Sequence, residues 1–262
     1  MKRYINIYIA LLKINLASLI IYRANFINSL LSSVSWGIFS ILSILLLTSK
    51  TTQVYSWSQG EIILLTAMYS IFIGIFHTIF TRNIEKIPEL VDRGYFDLIL
   101  TKPVDSQFLS SVRYFNYTSL SRIVVGIIAL VLILIKYNIS FSIANLPIYI
   151  VLSIFGLGIL YNIWFIITTL SFWFTQLNNI HQLMFSIANI GRFPPEAFSQ
   201  IMGYTFLFIL PITLIVISPV KALTNNLNLY DILAPLLFFV GLSFIARKFW
   251  LYGLKHYTSA GG

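Results

Sequence analysis

The sequence predicts an all-α integral membrane protein, a single domain over residues 1–262, and three observations support that prediction. Of its residues 58% are hydrophobic and 10% charged, with a mean hydropathy of +0.87, against roughly 25% charged in an ordinary soluble domain. The uncharged runs are long enough to cross a hydrocarbon core, which takes about 20 apolar residues as helix. They also lack the alternating pattern of barrel strands. The 262 residues leave room for six transmembrane helices and their loops.

The elements follow in order. Residues 1–23 carry Lys2, Arg3, Lys13 and Arg23, with Ile5, Ile9, Leu12, Leu16 and Leu19 at helical spacing. A lysine in mid-span costs about 2.5–3.5 kcal/mol on insertion scales, whereas a helix lying in the interface lets Lys13 snorkel to water. An N-terminal interfacial helix is therefore predicted rather than a cleaved signal, which would lack the internal charge and end in small residues. Span 1 runs from Phe26 to Thr48 and span 2 from Glu61 to Phe80, joined by a short loop around Lys50 and Trp57. Span 3, from Phe115 to Ile135, has Arg122 about two turns inside its first end and ends at Lys136. Tyr137 to Gly191 contains no Asp, Glu, Lys or Arg over 55 residues, too long for one span. The polar break Thr175–Gln182 divides it into span 4, Pro147 to Phe174, and span 5, Gln176 to Phe193. Pro194, Pro195, Pro211 and Pro219 interrupt the apolar segment up to Leu223. Proline removes a backbone donor and clashes with the preceding turn, so this segment reads as re-entrant half-helices buried in protein or lining a cavity. The alternative is a crossing over 201–220. The last span runs from Ile232 to Phe249.

Orientation follows from the basic residues. With both termini and the stretch 82–113 on one side, that side collects 13 Lys and Arg and the other four, Lys50, Lys136, Arg192 and Lys221. The positive-inside rule puts the richer side, and both termini, in the cytoplasm. The net charge of +9 is thus accounted for by topology. No contiguous basic stripe exists for nucleic acid.

An enzyme reading finds little support. There is no phosphate loop, no G-x-S-x-G elbow and no H-E-x-x-H, and His77, His181 and His256 are too scattered for a metal site. The chain has no Cys, so thiolate metal sites, cysteine nucleophiles and disulfides are excluded. Gly156 and Gly158 form a lone G-x-G that reads as a close helix contact. A secondary transporter would need ionisable residues inside its spans, and only Arg122 qualifies by charge. Tyr69, His77, Asn178, Asn179 and Asn189, on spans 2 and 5, are candidates for lining a path, although buried asparagines also join helices.

Ten of the 25 charged residues lie between Arg82 and Arg113, while Ala24 to Thr81 carries only Lys50 and Glu61. Glu89 and Arg93 stand at the favourable i, i+4 spacing of a solvated helix face. Gly94 ends a short helix from Pro88 to Arg93, with Pro in its first turn and Gly past its last. Tyr95, Phe96, Leu98, Ile99 and Leu100 set large apolar side chains among these charges. Such a patch either marks a contact surface or packs back on the ends of the spans.

Read in order, several pieces resemble the permease subunits of type-2 ATP-binding-cassette exporters. They are YRANF (Tyr22 to Phe26), GYFDLILTKPVD (Gly94 to Asp105), Phe172–Trp173, the segment Phe193 to Leu223, and ARKFWLYGLKHYTSAG at the end. The resemblance implies six helices with an N-terminal elbow helix, a cytoplasmic coupling helix between spans 2 and 3, and re-entrant helices before the last span. It places the coupling role on Ile84 to Asp105, including Glu85, Pro88, Glu89, Arg93, Gly94, Tyr95, Phe96, Asp97, Lys102 and Pro103. The outer gate falls on Pro194, Pro195, Pro211 and Pro219. Lys102 stands where the family more often has Arg, which keeps the charge but loses planar hydrogen bonding. Implied partners are ABC ATPase subunits, a second permease copy or sister permease, and the lipid bilayer. The chain itself needs no cofactor, ATP and Mg being held by the partner ATPase. The setting implied is a bacterial plasma (cytoplasmic) membrane. Relatives move drugs, peptides, lipids and polysaccharides, and the substrate is not legible here. A membrane docking, immunity or assembly protein is the alternative from another class.

Overall fold

The computed structural model describes residues 2–48, 53–54, 57–137, 143–174, 180–193, 211–224 and 226–258. Helices account for nearly all of them. In order they are α1 (Lys2–Ile21), α2 (Arg23–Thr48), α3 (Gln59–Phe76), α4 (Arg82–Asp92), α5 (Asp97–Leu100), α6 (Ser106–Val112), α7 (Leu120–Tyr137), α8 (Leu146–Thr169), α9 (Ile180–Ala188), α10 (Ile212–Leu223) and α11 (Leu229–His256). A small antiparallel hairpin, β1 (Gln53–Val54) with β2 (Trp57–Ser58), precedes α3.

Capping explains where the long helices begin. Ser58 and Glu61 form a reciprocal capping box at the start of α3, which gives Glu61 a role at the edge of an otherwise uncharged run. Asn228 and Asp231 do the same for α11, and Pro147 occupies the first turn of α8, where its missing N–H costs nothing.

The centre of the bundle is α3, buried almost all round from Gly60 to Phe76. Its sides carry α2 and α7 in one direction and α8 and α10 in the other, with α11 closing on α8. Small residues permit these contacts. A Cβ at Gly126 would lie 2.7 Å from the Ile71 side chain, and one at Gly156 2.5 Å from the Ile215 carbonyl oxygen. Gly158 likewise leaves room only for the Phe239 ring. The G-x-G is thus a helix contact, as its sequence context indicated. The outer faces of α2, α7 and α11 expose Leu46, Leu47, Leu132, Ile135, Leu237 and Phe244, an apolar surface suited to lipid.

Among the described residues six helices are long and apolar enough to cross a membrane, the number predicted, but one of the six differs. Lys2–Ile21 is among them, and residues 180–193, the described part of 176–193, are not. Yet α1 touches one end of the bundle along its whole length. The Arg3 guanidinium donates to the Pro103 carbonyl at 2.6 Å, Asn15 donates to the Arg113 carbonyl at 3.0 Å, and the Tyr117 hydroxyl donates to the Leu12 carbonyl at 3.0 Å. Ser18 and Tyr22 share a cavity wall with Arg82 and Glu85. The helix therefore lies across the end that carries residues 82–117, called here the charged end.

Of the predicted span 5, residues 180–193 are described. Among the described residues it comprises α9 and the 3-10 turn Asn189–Arg192. These 13 residues extend about 20 Å, short of the ~30 Å hydrocarbon core. At the charged end Phe185 packs on His77 and Trp164. At the other end of the segment Asn189 accepts from the Tyr69 hydroxyl at 3.2 Å, half-way along α3. There Ala188 and Gly191 share a wall with Ile215 and Val216 of α10. From that depth α10 continues outward until the Ala222 carbonyl accepts from Asn145 at the start of α8. Among the described residues α9 with its 3-10 turn and α10 thus approach each other half-way along α3. Pro211 caps α10 and Pro219 lies within it, while Asn178, Asn179, Pro194 and Pro195 fall outside the described residues.

The helix predicted over Pro88–Arg93 also proves longer. With α3, the π-helical turn His77–Thr81 and α4 joined, one rod runs unbroken from Gln59 to Asp92 over 34 residues, about 50 Å at the helical rise. It ends where predicted, at Gly94, whose φ of 71° is the left-handed conformation that glycine adopts without penalty.

Candidate functional site

Between Asp92 and Leu120 the chain turns back on itself at the charged end, and its side chains divide into inward and outward sets. Inward, Phe96 is fully buried in an aromatic cluster with Phe172, Trp250 and Tyr257, at ring separations of 5.4, 5.8 and 5.4 Å. This corrects its reading as a contact residue beside Tyr95. Five large rings meet there once Phe165 is counted, against Trp250 at 4.7 Å, and water is excluded. Pro88 is buried as well. Outward, Tyr95 and Leu98 are 56% and 60% exposed, and Glu89 and Arg93 form the expected ion pair at 3.3 Å on a solvated face. Lys102 and Pro103 are exposed, and the Pro103 carbonyl is the acceptor for Arg3.

Polar ties fasten the same segment to every neighbouring helix end. Asp105 caps α6 by accepting from the Phe108 N–H at 2.9 Å, and its carboxylate receives Arg247 of α11 through both terminal nitrogens, at 2.6 and 3.2 Å. Burial pushes the Asp105 carboxyl up. Hydrogen bonds from Arg247 and from the Phe108 and Gln107 backbone, with the charge of Arg247, outweigh it, and the net shift is below the ordinary carboxylate range. Gln107 and Ser111 meet the Tyr161 hydroxyl of α8 at 3.4 and 2.7 Å. Asn83 of α4 exchanges hydrogen bonds with the backbone of Tyr114, 2.7 Å each way. Around the Tyr114 ring stand Arg82, Lys86 and Arg113, the nearest at 4.5 Å. An external push on Tyr95 or Leu98 would thus be carried to α1, α3, α8 and α11 together.

The second feature is a cavity of about 380 Å³ at mid-depth between α2, α3, α7 and the Asn189–Arg192 turn. Tyr69, His77 and Asn189, three of the predicted path residues, all line it. Trp36, His77 and Arg122 are shared with a larger polar cavity of about 740 Å³ that extends to Arg82 and Glu85 at the charged end. One wall is the polar face of α2, where Asn25, Asn28, Ser29, Ser32, Ser33 and Trp36 recur at helical spacing. This stripe was visible in the sequence as i, i+3, i+4 recurrence and was missed. The π-helical turn rotates His77 into the cavity, where it stacks on Phe185 at 4.8 Å, and local sequence carries no signal for such a turn. Arg192 lines the same cavity wall as Tyr69.

Among the described residues no group of three or more His, Asp or Glu could hold a metal. A family model described as an ABC-2 family transporter protein matches residues 34–261. No curated protein and no solved structure matches the chain.

Proposed function

The chain belongs to the ABC-2 family of transporter proteins, which makes it a multi-pass membrane permease of an ABC transporter, and from that premise we propose that it exports substrate under the drive of a separate ATPase. A second copy or a sister permease completes the path, and the charged end faces the cytoplasm of a bacterial cell with both termini. In this reading nucleotide and Mg belong to the partner ATPase.

One observation carries this reading above the others. The segment 93–112 is locked by Phe96, Asp105 and Tyr114 to the ends of the spans, while Tyr95, Leu98, Glu89, Arg93 and Lys102 remain at the surface. That division suits a coupling element. The outer edge receives the ATPase, and the inner edge passes its movement to the spans as a rigid body. The 34-residue rod from Gln59 to Asp92 extends the same lever into the bilayer. In this reading α1 is the elbow helix that holds the loop level with the membrane surface, and the half-helix α10 with Pro211 and Pro219 forms the outer part of the gate.

Affinity purification of the full chain in mild detergent tests the proposal. An ATPase subunit should be retained, and changing Tyr95 and Leu98 together to Ala should weaken its retention by about thirtyfold, the loss expected for one aromatic anchor of ~2 kcal/mol. Retention unchanged in that variant would remove the coupling assignment.

A further inference from the structure

Building on the permease reading, we propose that the mid-depth cavity is the substrate site and that it takes an oxyanion, a phosphate or carboxylate, between Arg122 and Arg192. Both arginines line the same 380 Å³ space, and among the described residues no carboxylate does. Among the described residues Glu85 is the sole acid on the larger cavity toward the charged end, which Arg82 also lines. Among the described residues the ion pairs are Arg93–Glu89, Lys221–Asp231 and Arg247–Asp105, so neither Arg122 nor Arg192 is neutralised by them.

Two further observations point into the space. The Nε of Arg192 is buried without a hydrogen-bond partner, and so is the Oγ of Ser70, on a residue only 2% exposed that lines the same cavity. A guanidinium on a low-dielectric cavity wall without an ion-pair partner is costly, and two on one such cavity also repel. An oxyanion removes both penalties at once. It supplies the missing charge and acceptors, and the planar fork of arginine suits its geometry in a way that lysine does not. Ser70 adds a hydroxyl donor from the α3 side.

Phosphate chemistry can reach this site on an amphiphile, head in the cavity and tail among lipid, or as a water-soluble anion. Titrating the purified full chain in neutral detergent with dodecyl phosphate, and separately with inorganic phosphate, tells these apart through tryptophan fluorescence, since Trp36 lines the cavity. Saturable binding of dodecyl phosphate alone assigns the amphiphile, and equal binding of both assigns the soluble anion. In either case R122Q and R192Q should each raise the Kd about tenfold or more, the scale of a lost charge-assisted hydrogen bond. R122K should recover part of the affinity, and K255Q, exposed at the end of α11 and outside both cavities, should change nothing. Should R122Q fail to keep its helical circular dichroism, R192Q and R122K still decide. No saturable binding of either anion, or the same Kd in the wild type and R192Q, would overturn the site. Because the titration uses the permease alone, that failure leaves the ATPase retention experiment untouched, and loss of ATPase retention leaves the titration valid.

Discussion

Tyr95 and Phe96 are neighbours of similar chemistry, and the backbone turn after Gly94 sends them to opposite sides. Phe96→Ala should cost about 3–5 kcal/mol of stability, as for other buried aromatic truncations, and lower the thermal midpoint of the isolated permease. Tyr95→Ala should leave that midpoint nearly unchanged, within the ~0.5 kcal/mol typical of surface changes, because its ring is 56% exposed. Composition gave the two residues the same reading, since side-chain direction in a turn depends on the partner rings Phe172, Trp250 and Tyr257, which are distant in sequence. Asp105 gives a pH test at the same scale. Its folded-state pKa is depressed by Arg247 and backbone donors, so its contribution is present above the unfolded carboxylate pKa and is lost as pH falls through the folded value. The difference in thermal midpoint between wild type and Asp105→Asn should therefore be largest near neutrality and shrink in acid. A gap that stays constant down to low pH would mean that Asp105 acts only as a cap.

Among the elements, the long apolar helices were legible because length, caps and hydropathy all act locally. The Ser58–Glu61 and Asn228–Asp231 boxes lie at the starts of α3 and α11 as capping chemistry dictates. The approach of α9 and α10 half-way along α3 was not legible. Prolines announced broken helices, but where these two helices come together depends on Tyr69, Gly156 and Ile215 meeting across the bundle. Gly156 is the sharpest test of that packing. A β-branched side chain there would drive into the Ile215 carbonyl, for even a Cβ stands at 2.5 Å, and backbone cannot yield as a flexible side chain does. Gly156→Val should destabilise the permease by about 1–3 kcal/mol, the usual cost of overpacking, and should reduce transport before it abolishes membrane insertion. Gly241→Val offers the control, since a Cβ there meets nothing within 4 Å.

For the whole molecule, charge counting and hydropathy yielded the membrane class and the charged end. They could not reveal a cavity whose walls come from α2, α3, α7 and the turn after α9. That cavity makes a prediction that separates the structure from a plain six-rod bundle. If 176–193 were a complete crossing, Asn189 would lie within a turn or so of the far surface and a cysteine there would react with impermeant thiol reagents only from that side. In the structure Asn189 is half-way along α3, on a cavity that shares Trp36, His77 and Arg122 with the opening at the charged end. The chain has no cysteine of its own, so single substitutions report cleanly. A cysteine at Ser106 should label from the cytoplasmic side and one at Thr224 from the external side. In the nucleotide-free transporter, a cysteine at Asn189 should label from the same side as Ser106, more slowly because the reagent must pass the polar face of α2. Adding ATP with a non-hydrolysing ATPase partner should close that route and slow the reaction further. Labelling of Asn189 from the Thr224 side alone, with or without nucleotide, would restore the unbroken span and close the cytoplasmic route to the site.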